Sequence, residues 1–277
     1  MLSVEKQIFI QQMFARGYIL FADAILLINK ILTELNKLTN DPCPKIGVRD
    51  LKSIIKEINT AIKPEEIQLT ITTCEVTGNK HLTLHSIGHN DITELQTTYN
   101  PLELAYWLPL MEEIIKSDTK SMNRIDCLNL ITKYQLQIKM EDAEKFLNKC
   151  VTRGYLALSN GLYYLGSKAI CEFNKDLRTT YEDYTQICEL CSELCCYGKS
   201  CINCNKLMHD YCLQAALSTN QECPLCHVQW GQFDFEQVQE QQEEEMETCE
   251  NSIDSDEEVG RRQKSRSTRS SQRKRVH

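Results

Sequence analysis

Eight cysteine and histidine side chains in the last third of the sequence form four pairs, and two residues separate the members of every pair. The pairs are Cys188 with Cys191, Cys201 with Cys204, His209 with Cys212, and Cys223 with Cys226. Thiolate sulfur and imidazole nitrogen are ligands of structural zinc, and a pair with this spacing can reach one ion from a tight turn. Eight ligands satisfy two tetrahedral ions, so the sequence predicts a module that folds around two zinc ions.

The order of the pairs predicts how they share the two ions. Nine, four and ten residues separate consecutive pairs, which is too little chain to build a globular core. We therefore predict a cross-brace, in which alternate pairs bind the same ion. The first site is Cys188, Cys191, His209 and Cys212, and the second is Cys201, Cys204, Cys223 and Cys226. Each zinc contributes roughly 10 to 16 kcal/mol in small metal-dependent folds, so this segment should be unfolded without metal.

The other cysteines and histidines have different predicted roles. Cys195 and Cys196 break the spacing and are predicted to be spare, as is Cys249 in the tail. Five more are predicted to be small core residues: Cys43, Cys74, Cys127, Cys150 and Cys171. The row His81, His85 and His89 resembles a ligand set, but on a strand we expect this spacing to mark one exposed face.

The overall composition is that of a globular protein in a reduced compartment. The chain has 277 residues, of which 42% are hydrophobic and 25% charged, enough for two or three domains. The N-terminal residues do not have the pattern of a secretory leader, so the fifteen cysteines predict metal ligands more than disulfides. The most apolar stretch, residues 17–35, contains Asp23, Lys30 and Glu34, which excludes a membrane span.

The first ninety residues have the pattern of three helices followed by a β-hairpin. Helical periodicity predicts helices over Val4 to Arg16, about Phe21 to Leu38 and about Val48 to Ile62. After Pro64 the period changes to two, with a turn at 77–80 between the predicted strands. Three helices followed by a hairpin is the order of a winged-helix domain. We assign this domain to residues 1–95.

The same order is predicted a second time, over residues 96–180. The predicted helices are Asn100 to about Ile115, about Ser121 to Tyr134 and about Met140 to Arg153, and the hairpin strands are Tyr155 to Leu158 and Leu162 to Leu165. Pro109 should kink or restart the first of these helices. A further helix through Ile170, Phe173 and Leu177 then leads into the zinc module.

The C-terminal residues 236–277 form a tail with two blocks of charge. Net charge is −11 over residues 236–260 and +8 over residues 261–277, against −8 for the whole chain. The tail has almost no large apolar residues and is predicted to be disordered. The basic block, Arg261 to Arg275, predicts a nuclear-import signal or a weak nucleic-acid contact.

Two families of zinc finger share this order of seven cysteines and one histidine: the variant RING fingers and the PHD fingers that read histone tails. PHD fingers usually carry a tryptophan two residues before the seventh ligand, where this sequence has Gln221. The RING interpretation is therefore favoured, for residues 186–232. The predicted fold class is α+β, with two tandem winged-helix domains, a cross-brace two-zinc RING-like domain and a disordered C-terminal tail.

The combination of two winged-helix units with this variant RING resembles the non-SMC element one family, the RING-bearing subunit of the SMC complex in DNA repair. The residues that carry the resemblance are Gly166, Lys168-Ala169-Ile170, Tyr181, the eight ligands with Pro224, and Trp230. The resemblance implies a nuclear ubiquitin ligase subunit, with a MAGE-type winged-helix protein and a kleisin as partners. It also implies a ubiquitin-conjugating enzyme as partner, held so that its thioester is positioned for attack by a lysine.

The resemblance to RING ligases also implies a docking groove for the conjugating enzyme. The matching residues are Leu190, Leu213, Leu217 and Pro224, whose alternative role is packing around the zinc ions. Many active RINGs have an arginine directly after the eighth ligand, whereas this chain has His227. An imidazole cannot replace a guanidinium with five donors, so weak intrinsic activity is expected.

Two alternatives remain open at this point. The zinc module of a non-catalytic structural subunit would only stabilise contacts with partners, and His227 favours that alternative. A histone-tail reader is the other. DNA binding is expected to be weak or indirect. The third helix of the second winged-helix unit lacks a continuous basic surface for phosphate contacts, because the acidic residues Glu141, Asp142 and Glu144 interrupt its basic residues.

Overall fold

The computed structural model describes residues 2–39, 45–87 and 99–230, which form a mixed arrangement of helices and strands. We call residues 2–87 the N-terminal lobe, residues 99–185 the central lobe and residues 186–230 the cysteine-rich module. The predicted disordered tail at 236–277 lies outside the described residues. No helix within the described ranges is both long enough and apolar enough to cross a bilayer.

Three helices and a three-stranded sheet form the N-terminal lobe. In chain order they are α1 (Val4–Arg16), β1 (Tyr18–Leu20), α2 (Phe21–Thr39), α3 (Val48–Ile62), β2 (Ile67–Thr73) and β3 (Lys80–Ser86). The predicted helices and hairpin are present, and Gly17 ends α1 with a φ of 72°. Strand β1 is not predicted, because three residues are too few to show an alternating pattern. It forms against β3, in the antiparallel sheet order β1-β3-β2.

Helix α3 joins the helices of this lobe to its hairpin. Its apolar residues recur every three or four positions, and the face that they form is buried against α1, α2 and the sheet. The side chain of Asn59 on α3 accepts a hydrogen bond from the backbone N–H of Leu69 and donates one to the Leu69 carbonyl, each at 2.8 Å. These contacts fix the hairpin and therefore the direction of its tip, residues 74–79.

The central lobe repeats the order of three helices and a hairpin. Its elements are α4 (Pro101–Lys116), β4 (Met122–Asn123), α5 (Arg124–Lys133), α6 (Met140–Thr152), β5 (Leu156–Ser159), β6 (Leu162–Leu165), α7 (Ser167–Glu172) and α8 (Asn174–Thr179). The sheet order is β4-β6-β5. Trp107 and Phe146, both almost fully buried, lie at the centre of its core.

Three details of the central lobe differ from the sequence prediction. Helix α4 continues through Pro109, because buried side chains on both sides of it, Trp107 and Leu110 among them, hold the helix against the core. Helix α5 begins three residues later than predicted, where the Asn123 side chain accepts from the N–H of Asp126 at 2.9 Å. The single helix predicted after the hairpin is two short helices that meet at Phe173.

The two lobes meet at Gly154, two residues after the end of α6. Its φ is +78°, and a Cβ placed there would lie 2.5 Å from the Tyr18 ring of the N-terminal lobe. Beside it, the Arg153 guanidinium donates to the carbonyls of Ala15 and Arg16, at 3.1 and 3.2 Å. Glycine is therefore required here both by the left-handed backbone and by the close approach of the other lobe.

We expect Gly154→Ala to destabilise the chain more than Gly161→Ala does. Both residues have φ above +70°, so both substitutions cost about 1 to 2 kcal/mol of backbone strain. Only Gly154 faces another side chain within 4 Å, which adds about 1 to 3 kcal/mol of overpacking. Urea unfolding of the two variants measures the difference, and equal losses would contradict this account of the junction.

Candidate metal centre

Three of the four ligand pairs lie in turns with the same backbone geometry. In each turn the N–H four residues after the first cysteine donates to that cysteine's carbonyl, at 2.8 to 2.9 Å. The donors are Ser192, Asn205 and His227, and each has a φ near +60°. The left-handed residue turns the chain back, so that both cysteine side chains of a pair point to the same side.

The fourth pair lies at the start of a helix. His209 is the N-cap of α9 (Asp210–Leu217), and Cys212 lies one turn later. Two short antiparallel strand pairs precede this helix in the chain. They are β7 (Gln186–Ile187) with β8 (Leu194–Cys195), and β9 (Lys199–Ser200) with β10 (Leu207–Met208). The small sheets and the helix bring pairs that are distant in sequence next to each other.

The structure brings together the same two sets of four side chains that the cross-brace predicts. Ligand atoms of Cys188, Cys191, His209 and Cys212 lie within 4.8 Å of one another, and so do those of Cys201, Cys204, Cys223 and Cys226. The cysteines among them are free thiols. Each cluster could therefore hold a metal ion. Binding of the ion requires the cysteines to lose their protons and become thiolates.

Distances within the clusters have the size expected between ligands of one ion. In the first cluster His209 Nδ1 lies 3.3 Å from Cys191 Sγ and 3.8 Å from Cys212 Sγ. In the second, the sulfurs of Cys201 and Cys226 are 3.7 Å apart and those of Cys204 and Cys223 are 3.9 Å apart. A disulfide would place two sulfurs about 2.05 Å apart. The arrangement therefore fits metal ligands and not cystines.

Hydrogen bonds favour the thiolate form at one cysteine of each cluster. A hydrogen bond from the Asn203 side chain, with help from the backbone at Val228, lowers the pKa of Cys226 to about 6. Burial opposes ionisation of Cys188, but backbone hydrogen bonds outweigh it and its pKa falls to about 7. Burial instead raises the pKa of Cys212, in the first cluster, to about 12. Because the thiolate is the metal ligand, binding of a metal would release protons from such thiols.

Burial sets the pKa of the cysteines outside the two clusters. Burial raises the pKa of Cys127 and of Cys171 to about 12, and that of Cys195 to about 11. Cys196 is packed in the core of the central lobe, and burial raises its pKa too. These residues are neutral thiols at physiological pH, as expected for core residues.

The predicted exposed row of histidines is wrong for the two members that the structure describes. His81 and His85 are buried, because Tyr18 stacks on His81 at 4.5 Å and Thr70 hydrogen-bonds His85 Nε2 at 2.9 Å. Burial also lowers the pKa of His81. His89 lies outside the described residues.

The far side of the His209 ring contacts a residue that the sequence does not single out. His209 Nε2 lies 3.1 Å from a carboxylate oxygen of Glu75 and 3.0 Å from the Leu194 carbonyl. Glu75 is in the hairpin tip of the N-terminal lobe and is 5% exposed. Because Glu75 lies 134 residues before His209, no local sequence pattern indicates that the two side chains are in contact.

The five residues predicted to contact a conjugating enzyme differ in burial: three are accessible from solvent and two are buried. Leu190 and Pro224 are half-buried and His227 is exposed, so all three are accessible from solvent. Leu213 and Leu217 are buried within the module, and for these two the alternative role, packing beside the metal ligands, is the one that burial favours. Two apolar residues that were not predicted are exposed between ligands, Ile202 fully and Leu225 by 37%.

A family model described as the Nse1 non-SMC component of the SMC5-6 complex matches residues 6–173. That match spans more than half of the chain, including most of both lobes. The chain belongs to the Nse1 family. The resemblance inferred from the spaced cysteines and the two hairpin units is thereby confirmed.

Individual members of the Nse1 family support this assignment. The human non-structural maintenance of chromosomes element 1 homolog is 27% identical over 215 residues, which cover 74% of this chain and 81% of the human protein. The Drosophila melanogaster homolog is 24% identical, over 74% of this chain and 87% of its own. A chain of a solved structure described as the Nse1-Nse3-Nse4 complex has the same fold, with a TM-score of 0.69 and 24% identity. The match covers 84% of this chain and 99% of that chain.

We expect the purified chain to carry two metal ions, and Cys204→Ser to carry one. The substitution removes a thiolate from the second cluster and leaves the first cluster intact. Cys171→Ser, at a half-buried cysteine outside both clusters, is the matched control and should keep two ions. Elemental analysis by mass spectrometry measures the ratio. A wild-type ratio below two, or loss of metal from Cys171→Ser, would contradict the assignment.

Proposed function

We propose that this Nse1-family chain is a RING-type ubiquitin ligase subunit of a nuclear SMC complex that acts in DNA repair. The observation that carries the proposal is the pair of four-ligand clusters in cross-brace order, on a chain of this family. In this mechanism the module forms no covalent intermediate. It binds a ubiquitin-charged conjugating enzyme and orients its thioester towards the amine of a lysine.

Zinc is the metal that best fits both clusters. A tetrahedral ion with zinc–sulfur bonds of about 2.3 Å has ligand sulfurs about 3.8 Å apart, and a nitrogen ligand about 3.6 Å from each sulfur. The sulfur pairs at 3.7 and 3.9 Å agree with this edge length. Closed sets of three sulfurs with one nitrogen, and of four sulfurs, are typical of structural zinc and leave no open position for catalysis.

The solvent-accessible residues around the first and last knuckles support a docking surface for the conjugating enzyme. Leu190 lies between Cys188 and Cys191, and Pro224 with the exposed Leu225 lies between Cys223 and Cys226. The zinc ions would hold these short turns rigid, so the apolar residues stay in place without a core beneath them. Rigid presentation lowers the entropy cost of binding a partner.

The lobes are the proposed binding sites for other subunits. The two repeats of three helices and a hairpin have the element order of tandem winged-helix domains. The solved relative comes from a complex of Nse1 with Nse3 and Nse4. We propose an Nse3-type protein, of the MAGE winged-helix class, as the direct partner and an Nse4-type kleisin as the third subunit. DNA binding is proposed to be weak or indirect.

The alternative function is that of a structural subunit without ligase activity. The specific observation in its favour is His227, an exposed imidazole directly after the eighth ligand, the sequence position at which many active RINGs have arginine. An imidazole has at most two donors against five in a guanidinium. The discharge of ubiquitin from a charged conjugating enzyme onto free lysine separates the two functions.

We expect the full-length chain to accelerate this discharge when an Nse3-type partner is present, and Leu190→Ala to lose the acceleration. Leu190 is half-buried and is not a ligand, so the variant should retain its metal. Cys188→Ser, which removes a ligand, is the inactive control. If no conjugating enzyme responds while metal content and partner binding are normal, the ligase function is wrong and the structural alternative holds.

His227→Arg tests the same function by a gain of activity, whereas Leu190→Ala tests it by a loss. The side chain is exposed, so an arginine there can reach a bound conjugating enzyme without disturbing the second cluster. We expect discharge to increase about tenfold or more, as one buried charge-assisted hydrogen bond is worth about 1.5 to 3 kcal/mol. His227→Gln, which has no charge, is the matched control and should give no increase. An unchanged rate in His227→Arg would exclude this position from contact with the conjugating enzyme.

A further inference from the structure

Glu75 is a buried carboxylate that the proposed ligase function does not use. It lies in the turn between β2 and β3, and its nearest partners all belong to the cysteine-rich module. One carboxylate oxygen lies 3.1 Å from His209 Nε2 and accepts from the N–H of Cys196, also at 3.1 Å. The other accepts from the N–H of Tyr197 at 2.7 Å. A carboxylate that is 5% exposed requires such partners to offset its desolvation.

The two nitrogens of His209 therefore face in opposite directions. Nδ1 faces the sulfurs of Cys191 and Cys212, whereas Nε2 faces Glu75 and the Leu194 carbonyl. Since both atoms on the Nε2 side are acceptors, the proton belongs on Nε2 and the lone pair on Nδ1. This tautomer is the one that can bind a metal ion within the first cluster. A carboxylate in this position raises the basicity of a ligating imidazole and fixes its orientation.

Cys195 does not turn this set into a third metal site. Its sulfur lies within 4.8 Å of the Glu75 and His209 atoms. However, the Cys195 thiol donates its proton to the Tyr197 carbonyl at 3.3 Å. A protonated thiol and an N–H that already has two acceptors offer no ligand atoms to a cation. The set is a hydrogen-bond network attached to the first cluster.

The hairpin tip also lies close to the module at Gly78. A Cβ placed on Gly78 would lie 4.0 Å from the Tyr211 Cβ, and the Tyr211 ring stacks on His209 at 4.8 Å. A cavity of about 10 Å³ has walls from the tip (Glu75), the central lobe (Ile114) and the module (Tyr197). That volume is no more than one water molecule needs, so the three parts of the chain pack closely here.

We propose that Glu75 is a positioning residue of the first metal centre, so that binding of metal there and docking of the N-terminal hairpin tip stabilise each other. The inference rests on the proposed zinc loading but not on ligase activity. The hydrogen-bond network that supports the ligands of this centre would then extend beyond the module, to a carboxylate supplied by the N-terminal lobe. Coupling of this kind is reciprocal: whatever the tip contributes to metal affinity, the metal contributes to docking of the tip.

Glu75→Gln tests the first half of this coupling. The amide oxygen can still accept from the backbone, but the negative charge opposite His209 is lost. In the zinc-loaded full-length chain we expect about 10- to 100-fold weaker affinity at one of the two centres, measured by competition with a chelating dye. Cys191→Ser, which lacks a ligand of the first centre, identifies which of the two affinities belongs to it. Glu65→Gln, an exposed change of the same charge in the same lobe, is the matched control and should leave both affinities unchanged.

Two results would overturn the proposal. Unchanged affinities in a folded Glu75→Gln chain would show that the carboxylate does not act on the metal. Equal losses at both centres would show general destabilisation, because a positioning residue of the first centre should leave the second centre alone. Failure of the ubiquitin-discharge assay would leave this test unaffected, because the metal affinities are measured without any ubiquitin reaction.

Amide hydrogen exchange on the wild-type chain tests the second half and needs no variant. Inside the tip, the N–H of Gly78 donates to the Cys74 carbonyl at 2.9 Å. Removal of metal with a chelator should speed exchange of this N–H, although it lies in the lobe that carries no ligands. The N–H of Leu84, which donates to the Gly17 carbonyl at 2.8 Å within the same lobe, is the internal control and should stay protected. Exchange at Gly78 that does not respond to metal removal would also overturn the proposal.

Discussion

The cysteine-rich module depends on one constraint above all, which is that four short turns must present eight ligand atoms at fixed separations. Some forty residues cannot bury enough apolar surface to hold a fold by themselves. Three turns solve the local part of this problem in the same way, with a left-handed residue directly after the second cysteine. The fourth uses the first turn of a helix, where His209 caps α9. A bound ion in each cluster would then supply what the small core lacks.

The module is nevertheless not separate from the rest of the chain. Leu194 and Cys196 are part of the same buried cluster as Trp107 and Phe146 of the central lobe. Glu75 from the N-terminal lobe accepts hydrogen bonds from the loop that follows β8. Any force on the hairpin tip or on the central lobe therefore reaches the ligand turns through packed and hydrogen-bonded atoms.

Local patterns were sufficient to predict much of this structure. The helix bounds at Val4, Arg16, Val48 and Ile62 follow from apolar spacing and from Gly17, and the two groups of ligands follow from the spacing of the cysteines. The resemblance to the Nse1 family followed from the order of these parts. Features that arise from tertiary packing could not be predicted in this way. Strand β1 is too short to have a pattern, and Pro109 is accommodated only because the core holds the helix around it.

The same limit explains why His81, His85 and Glu75 were misjudged or missed. An alternating strand pattern shows which residues share a face, but not whether another element covers that face. Tyr18 and Thr70 cover the two histidines, and only the fold shows this. Glu75 looks like an ordinary polar turn residue until the hairpin is placed against the module. Its carboxylate then has three donors within 3.1 Å, two from the backbone and one from the imidazole.

The charge of the first cluster makes this placement more than a packing detail. Three thiolates and one imidazole around a divalent cation carry a net charge of about −1, and a buried carboxylate beside them adds to it. Such a carboxylate is stable there only if donors in fixed positions hydrogen-bond it. The imidazole N–H becomes a stronger donor when the other ring nitrogen binds a cation, because the metal withdraws electron density from the ring. The contact between Glu75 and His209 should therefore be most favourable when the centre is loaded, and least favourable when it is empty.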